Sequence, residues 1–312
     1  MTEARGDDLS DGARIGVIGV GTIGQSLAQT LLEQSYDVTV YDVSSDATQA
    51  AVEAGARLAG DAREASEGRD VVLTALPTSS DVHAVALDPA RGILAGMSAP
   101  ATLIDVTTSS PAAMIELDGR CAAAGIDFLE APVSGRPPRL TMFVGGSQEA
   151  LARVAPVIAH LSNNVVHFGE TGSGSRAKIV HQLVAFGNFV LACEAFAIAA
   201  RAGLSLDCVA RALQGSRADS AMLPLIETMV LQRDFVDRGG SLAQIAKDMR
   251  LVRDLAEELE VESDWVSAVS DVFLEAERSG MGHESAAAVA KVVESRIGSQ
   301  ISSRNGARTP PT

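Results

Sequence analysis

Short runs of apolar, β-prone residues alternate with Ala-rich helical runs from Arg14 onward. Several of the short runs are apolar throughout, which is typical of parallel strands covered on both faces of a sheet. With helical runs between them, they predict repeated βαβ units and an α/β doubly wound, Rossmann-type sheet. The predicted strands cover residues 15–19, 37–42, 70–75, 102–106, 126–130, 141–144 and 164–168.

The pattern becomes helical after Gly169, and no further strand is predicted. Residues 175–202 predict one long helix, roughly 40 Å at 1.5 Å per residue. The later predicted helices cover 206–215, 220–232, 241–259, 264–279 and 284–297.

The change of pattern predicts two domains joined by the long helix, as expected for a chain of 312 residues. The predicted organisation is a disordered leader (1–13), a Rossmann-type dinucleotide-binding domain (14–171), an interdomain helix (172–203), an all-α C-terminal domain (204–300) and a disordered tail (301–312).

Composition and charge narrow the class of protein. Hydrophobic residues make up 46% of the chain and charged residues 21%, which is typical of a globular protein. The net charge of −15 argues against nucleic acid and anionic membranes as partners. The most apolar run, about residues 183–193, is interrupted by Gly187 and Asn188 and is shorter than the roughly 20 residues of a membrane span.

The cysteines and the N-terminus predict a cytoplasmic protein. The chain has three cysteines, an odd number with no C-x-x-C spacing, so reduced thiols are expected and no metal site is predicted. The polar, acidic N-terminus lacks the apolar core of a signal peptide.

The first predicted strand runs into a G-x-G-x-x-G sequence that opens a helix, which is the context of a dinucleotide-binding loop. Gly19 permits the tight turn, Gly21 lets backbone N–H groups approach a pyrophosphate, and Gly24 lets the helix pack on the strand. The helix N-terminus favours the phosphate charge. The alternative is a glycine turn in an α/β protein that binds no nucleotide. The predicted cofactor-binding residues here are Gly19, Val20, Gly21, Thr22, Ile23 and Gly24.

Asp42 ends the second predicted strand, 18 residues beyond Gly24. A carboxylate at this position accepts the ribose hydroxyls of NAD and repels the 2′-phosphate of NADP. The next arginine along the chain is Arg57. The predicted cofactor is therefore NAD in preference to NADP.

Lysine is rare in this chain, with three lysines against 22 arginines. Lys can lose its proton when it is buried, whereas Arg is effectively always charged. Lys178 lies in an almost wholly apolar helical stretch, with His181 and Gln182 on the same helix face. Lys178 is therefore the candidate general base. The alternative is that the chain is biased toward arginine and that its three lysines stand at arbitrary positions. For His181, a packed histidine with satisfied hydrogen bonds is favoured over a functional role.

Six motifs occur in a fixed order, and together they resemble the β-hydroxyacid dehydrogenase family, which includes 3-hydroxyisobutyrate dehydrogenase and is related to 6-phosphogluconate dehydrogenase. The resemblance covers residues 14 to about 293. The motifs are the glycine loop (15–24), Leu-Pro-Thr-Ser (76–79), a D-x-S-T-x-x-P-like signature (105–111), Ala-Pro-Val-Ser-Gly (131–135), G-x-G-x-x-x-K (172–178) and Lys-Asp (247–248).

The resemblance implies further site residues. Leu76 and Pro77 would lie beside the nicotinamide-ribose side of the cofactor, Thr108 would also bind the cofactor, and Lys247 would reach it. The implied substrate-binding residues are Thr108, Ser134, Gly135 and Gln182. Arg136, which departs from the family pattern, is a further candidate.

Two departures from the family pattern concern the substrate. Arg136 opens a short Arg-Pro-Pro-Arg loop where the family has a longer, Gly-rich loop. Arg136 is a candidate clamp for a second acidic group of the substrate, or else a solvated loop residue. Gln182 stands where most members have Asn, and the His-Gln pair is similar to the threonate dehydrogenase branch.

The expected activity is NAD-dependent, reversible oxidation of a small anionic β-hydroxy acid. Decarboxylating relatives place an acid seven residues after the catalytic lysine, where this chain has Ala185, so no loss of carbon dioxide is expected. The alternatives are an NAD(P)-dependent imine or other carbonyl reductase and a non-catalytic NAD-binding module. The resemblance also implies a homodimer or homotetramer.

Overall fold

The structure, a computed structural model, describes Leu9 and residues 12–302. Most of the predicted leader and residues 303–312 of the predicted tail lie outside this range. Both described ends are packed, because Ala13 is buried in the first unit and Ile301 in the second. The packed part of the chain therefore includes Ala13 of the predicted leader and Ile301 of the predicted tail.

The chain forms two compact units that divide after Lys178. Within the described residues, the first unit has one nine-stranded sheet, and all seven predicted strands are confirmed to within two residues. The two-residue strands β3 and β7 were not predicted, because runs so short have no periodicity. The strands are β1 (Arg14–Ile18), β2 (Asp37–Tyr41), β3 (Arg57–Leu58), β4 (Val71–Thr74), β5 (Thr102–Asp105), β6 (Asp127–Glu130), β7 (Val133–Ser134), β8 (Leu140–Gly146) and β9 (Ser162–Gly169).

The strand order is β3-β2-β1-β4-β5-β6-β8-β7, with β9 paired to β8. The first six strands are parallel, while β8 runs antiparallel to β6 and β7. The order reverses between β1 and β4, and ligands of doubly wound sheets bind at the carboxyl ends of strands at such a switch point. The predicted Rossmann-type fold is confirmed.

Side-chain caps fix where most helices of the first unit begin. Five of them start after a Ser, Thr or Asp whose side chain accepts a backbone N–H of the first turn. The helices of this unit are α1 (Thr22–Glu33), α2 (Ser45–Glu53), α3 (Ala62–Ser66), α4 (Ser79–Leu87), α5 (Ile93–Gly96), α6 (Pro111–Ala123) and α7 (Gln148–Leu161).

The long helix α8 (Ser173–Arg201) begins in the first unit and continues into the second. The described part of the second unit contains no strand. Its other α-helices are α9 (Leu206–Leu213), α10 (Leu223–Leu225), α11 (Leu242–Glu258), α12 (Asp264–Ala276) and α13 (Ala290–Ile297).

Three predicted helices are less regular than expected. The helix predicted over 220–232 is one α-turn followed by a π-turn, Ile226–Val230, and it contains Pro224, which donates no N–H. The helix predicted over 264–279 ends in a π-turn where Gly280 has φ +84°. The helix predicted over 284–297 opens with a 3-10 turn, Ala286–Val289.

The expectation that no apolar run is long enough to cross a bilayer is wrong for helix α8. Among the described helices, α8 alone is long and apolar enough by length and composition, with a mean hydropathy of 1.9 over an 18-residue window. Of that window, 44% is buried within the protein, and core helices satisfy the same criteria. Phe189, Cys193 and Phe196 of α8 lie in the apolar core of the second unit.

Candidate active site

The glycine loop after β1 packs against the end of β4. Gly19 has φ +85°, and a Cβ there would lie 2.5 Å from the carbonyl oxygen of Ala75. A Cβ on Gly24 would lie 1.8 Å from the carbonyl oxygen of Gly19. Both positions therefore require glycine, Gly19 for the turn and Gly24 for close packing of α1 on the loop.

Gly21 differs from these two glycines. A Cβ at Gly21 would meet no atom within 4 Å, so the space beside it is open. Gly21 is also the N-cap of α1, with no side-chain cap and no acidic residue in the first turn. The free N–H groups and the open space fit a pyrophosphate at this helix N-terminus.

The Asp42 carboxylate is held by the glycine loop and by its own turn. One oxygen accepts the N–H of Val20 at 2.8 Å, and the other accepts the N–H of Ser44 at 2.9 Å. Asp42 is partly exposed, and each oxygen retains acceptor capacity. The carboxylate is thus oriented beside the phosphate-binding turn, as expected of a ribose acceptor.

A buried carboxylate organises the loops that follow β4 and β5. Asp105 is fully buried and accepts the Thr74 hydroxyl at 2.7 Å and the Thr107 N–H at 3.2 Å. The Thr107 hydroxyl oxygen in turn accepts the Leu76 N–H at 3.1 Å. Burial raises the pKa of Asp105 to about 6, against the opposing hydrogen bonds. This network fixes the backbone next to Pro77, which is exposed, and Thr108, which is partly exposed.

The predicted substrate loop leaves the sheet at β7. Ser134 pairs with Thr141 of β8, and Gly135 follows with φ +93°. The Arg139 N–H donates to the Arg136 carbonyl at 2.9 Å, which closes a tight turn. Both arginines are exposed.

Lys178 lies in the second turn of α8 and is 4% exposed. Its Nζ lies 5.8 Å from the centroid of the Phe143 ring, which stacks on Phe168. The burial of Lys178 that the apolar sequence around it predicts is therefore present. Lys247 pairs with Asp248, and Lys291 pairs with Glu284.

Glu130 was not predicted as a site residue, although it ends a predicted strand. Its fully buried carboxylate accepts the N–H groups of Gly172 and Gly174 at 2.6 and 2.8 Å, and also the Ser175 hydroxyl. Burial raises the pKa of Glu130, against these bonds. An acid at the end of a buried strand, directly before Ala131, is the sequence feature that could have identified it.

In the second unit, Gln182 and Lys247 are linked through one buried residue, Asp248. The Gln182 Nε2 donates to one carboxylate oxygen of Asp248, and the Lys247 Nζ lies 3.0 Å from the other. The Gln182 Oε1 lies 3.1 Å from the Nδ1 of His181. Contacts to both its nitrogen and its oxygen therefore fix the orientation of the Gln182 amide.

The fold and the nucleotide loop agree with comparisons to known proteins. Residues 14–169 match the NAD-binding domain of 6-phosphogluconate dehydrogenase, and residues 172–293 match the NAD-binding domain of NADP-dependent 3-hydroxyisobutyrate dehydrogenase. These two matches together cover most of the chain, and they define an NAD-binding dehydrogenase.

Individual relatives agree with this class. The chain is 30% identical over 257 residues to the NAD-dependent L-serine dehydrogenase of Pseudomonas aeruginosa (78% of this chain, 85% of the relative). It is 28% identical over 296 residues to the 2-(hydroxymethyl)glutarate dehydrogenase of Eubacterium barkeri (93% and 97%). The structure of a 3-hydroxyisobutyrate dehydrogenase from Salmonella typhimurium superposes with a TM-score of 0.83, at 28% identity over 90% of this chain and 99% of that chain.

The chain belongs to the β-hydroxyacid dehydrogenase family. It is an NAD-dependent hydroxyacid oxidoreductase, and the predicted family, enzyme class and cofactor are confirmed.

Proposed function

We propose that the chain reversibly oxidises the hydroxyl group of a small β-hydroxy acid to the oxo acid or semialdehyde, with Lys178 as the general base. The observation that carries this proposal is the burial of Lys178, which is 4% exposed and has its Nζ 5.8 Å from the centroid of the Phe143 ring, because burial disfavours the ammonium form. NAD, when bound, accepts the hydride from the substrate carbon. The uncharged Lys178 takes the hydroxyl proton as the C=O bond forms, and the ammonium returns this proton in the reverse direction.

The names of the relatives support this substrate class. L-Serine, 3-hydroxyisobutyrate and 2-(hydroxymethyl)glutarate each carry a hydroxymethyl group on the carbon next to a carboxylate. They differ only in the third substituent on that carbon. The shared unit requires a base for the hydroxyl and donors for the carboxylate.

The remaining roles follow from the family resemblance. Ser134, the Gly135 N–H and Thr108 bind the carboxylate, and Gln182 holds the hydroxyl or carboxylate of the substrate. Lys247 binds the cofactor. Because Ala185 stands where decarboxylating relatives place an acid, we propose that no carbon dioxide is released, and carbon dioxide formed in step with NADH would contradict this.

The test is NADH formation with a panel of hydroxy acids that includes these three compounds and L-threonate. Lys178→Arg keeps a cation but removes a usable base, so it should lower kcat by about 10²–10⁴-fold. Lys291→Ala, a substitution of a lysine paired with Glu284, is the matched control and should leave kcat unchanged. Full activity of Lys178→Arg would refute the assignment of the base.

We also propose that the chain self-associates through α8. Four exposed apolar side chains recur along one face of this helix over about 27 Å, and large exposed apolar patches mark interaction sites. They are Val180, Val184, Leu191 and Ile198. Leu191→Glu should shift the mass measured by light scattering to that of a smaller species, whereas Leu58→Glu, also at an exposed leucine, should not. An unchanged mass for Leu191→Glu would exclude this face.

A cytoplasmic location is a further proposal. It is supported by three cysteines that are all unpaired, two of them buried. Fractionation of cells that make the untagged protein tests it, and recovery with the membranes would contradict it.

A further inference from the structure

The first turn of α8 rests on one buried carboxylate. Glu130 ends β6, and its Oε1 accepts two backbone N–H groups, those of Gly172 and Gly174. Its Oε2 accepts the hydroxyl of Ser175, which is also buried. A helix leaves its first N–H groups without partners inside the helix, and Glu130 supplies a charged acceptor for them.

Close backbone packing holds this carboxylate in place. A Cβ on Gly145 would lie 2.2 Å from the Glu130 Oε1 and 2.9 Å from the Gly174 nitrogen. A Cβ on Gly174 would lie 2.4 Å from the carbonyl oxygen of Phe143. The strand β8 and the start of α8 thus enclose the carboxylate, and the ring of Phe143 is the one beside Lys178.

Glu130 is linked to Lys178 through a single helical turn. Ser175 and Lys178 are three residues apart in α8, so their side chains lie on the same helix face. A shift of the first turn would move Lys178 with it, and a displacement of about 1 Å in a catalytic group can cost about 10²-fold in rate.

We propose that Glu130 is a positioning residue that fixes the first turn of α8, and through it the location of the Lys178 amine. This inference rests on the proposed role of Lys178. Glu130 itself exchanges no proton with the substrate. A carboxylate that only anchored the fold would instead affect stability and every activity alike.

Glu130→Gln tests the proposal, because it keeps the volume but places an N–H₂ group toward the donors of α8. With the fastest hydroxy acid of the panel, kcat should fall at least tenfold, while the Kd for NADH, measured by calorimetry, changes less than twofold. Glu149→Gln is the matched control, since Glu149 is an exposed acid in the first turn of α7. It should match the wild type in both measurements.

The double variant Glu130→Gln/Lys178→Ala separates positioning from support of the fold. If Glu130 acts through Lys178, the double variant should retain the residual rate of Lys178→Ala to within twofold. A further tenfold loss in the double variant, or a Glu130→Gln enzyme with normal kcat, would overturn the proposal. If Lys178→Ala alone were fully active, the role of the lysine would have failed first, and the two failures are thereby distinguished.

Ser175→Ala covers the case in which Glu130→Gln does not fold. It removes the hydroxyl donor and leaves the carboxylate with its backbone N–H bonds. The expected result is a smaller loss of kcat, about threefold to tenfold, that also disappears in the Lys178→Ala background. An unchanged kcat for Ser175→Ala would count against the proposal.

Discussion

Asp105 and Glu130 are register partners in the adjacent parallel strands β5 and β6, and each is the last residue of its strand. Both side chains are fully buried, and burial raises the pKa of each. Their hydrogen bonds run in different directions. Asp105 binds Thr74 and the loop after β5, whereas Glu130 binds the start of α8. The ends of two neighbouring strands thus organise two separate regions, the loops after β4 and β5 and the start of α8.

Replacing Asp105 with Asn should change how stability depends on pH. The pKa of Asp105 is about 6 in the folded protein against an ordinary 3.8, so the folded state binds more protons than the unfolded state between these values. Stability of the wild type therefore falls as pH rises from about 4 to about 6, by on the order of 2 kcal/mol from this group. Asp105→Asn has no carboxylate to titrate, so it does not lose stability in this way. Its free energy of unfolding relative to wild type should therefore increase from about pH 4 to about pH 6.

Thermal unfolding of both proteins at several pH values measures the difference in stability between them. The contributions of all other titrating groups cancel in this difference. Asp46→Asn, a change at an exposed carboxylate, is the control and should follow the wild type. A constant difference between Asp105→Asn and wild type from pH 4.5 to 7.5 would show that Asp105 does not titrate there.

Alanine at two glycines of the same loop should affect two different properties, stability at Gly24 and NADH binding at Gly21. Gly24→Ala places a Cβ 1.8 Å from a backbone oxygen, so it should destabilise the first unit by about 3 kcal/mol or more. Gly21→Ala meets no protein atom, and its φ of −66° suits alanine. Gly21→Ala should therefore melt like the wild type but bind NADH at least tenfold more weakly. Calorimetry and thermal melts measure both effects, and normal NADH binding by Gly21→Ala would contradict a pyrophosphate beside it.

The sequence predicts those parts of the fold and site that depend on local pattern. The glycine loop, the carboxylate of Asp42 at a strand end and the burial of Lys178 all follow from residues within a few positions of each other. The structure places each of these as expected, although their roles in binding and catalysis stay predictions.

The parts that the sequence does not predict depend on residues far apart in the chain. Glu130 and Gly172 are separated by 42 residues, and Gln182 and Asp248 by 66. An acid at a strand end or in a helix is compatible with many partners, so only the tertiary contacts identify these pairs. The π-turn Glu277–Met281 was missed because a helical pattern up to residue 279 does not distinguish a π-turn from an α-helical turn.

Asp42→Asn should weaken the preference for NAD over NADP. The amide keeps an acceptor for the Val20 or Ser44 N–H but loses the charge that repels a 2′-phosphate. We expect the Kd for NADH to rise about tenfold and the Kd for NADPH to stay equal or fall, since a charge-assisted hydrogen bond contributes about 1.5–3 kcal/mol. Calorimetric titration of both nucleotides measures the ratio, with Asp46→Asn as the control. An unchanged ratio would mean that Asp42 only supports the loop.

Arg136 should discriminate between substrates with one and with two carboxylates. Its guanidinium is exposed in the short loop after Gly135, and an Arg–carboxylate pair can form two parallel hydrogen bonds. Arg136→Gln should raise the KM for 2-(hydroxymethyl)glutarate by about 10–100-fold, and the KM for 3-hydroxyisobutyrate by less than twofold. Arg139→Gln removes an equally exposed charge from the same loop and serves as the matched control.

If both variants changed the two KM values alike, the loop would contribute only a general positive field, which added salt would screen. If Arg136→Gln alone affected the dicarboxylate, and did so at high salt as well, the contact would be direct.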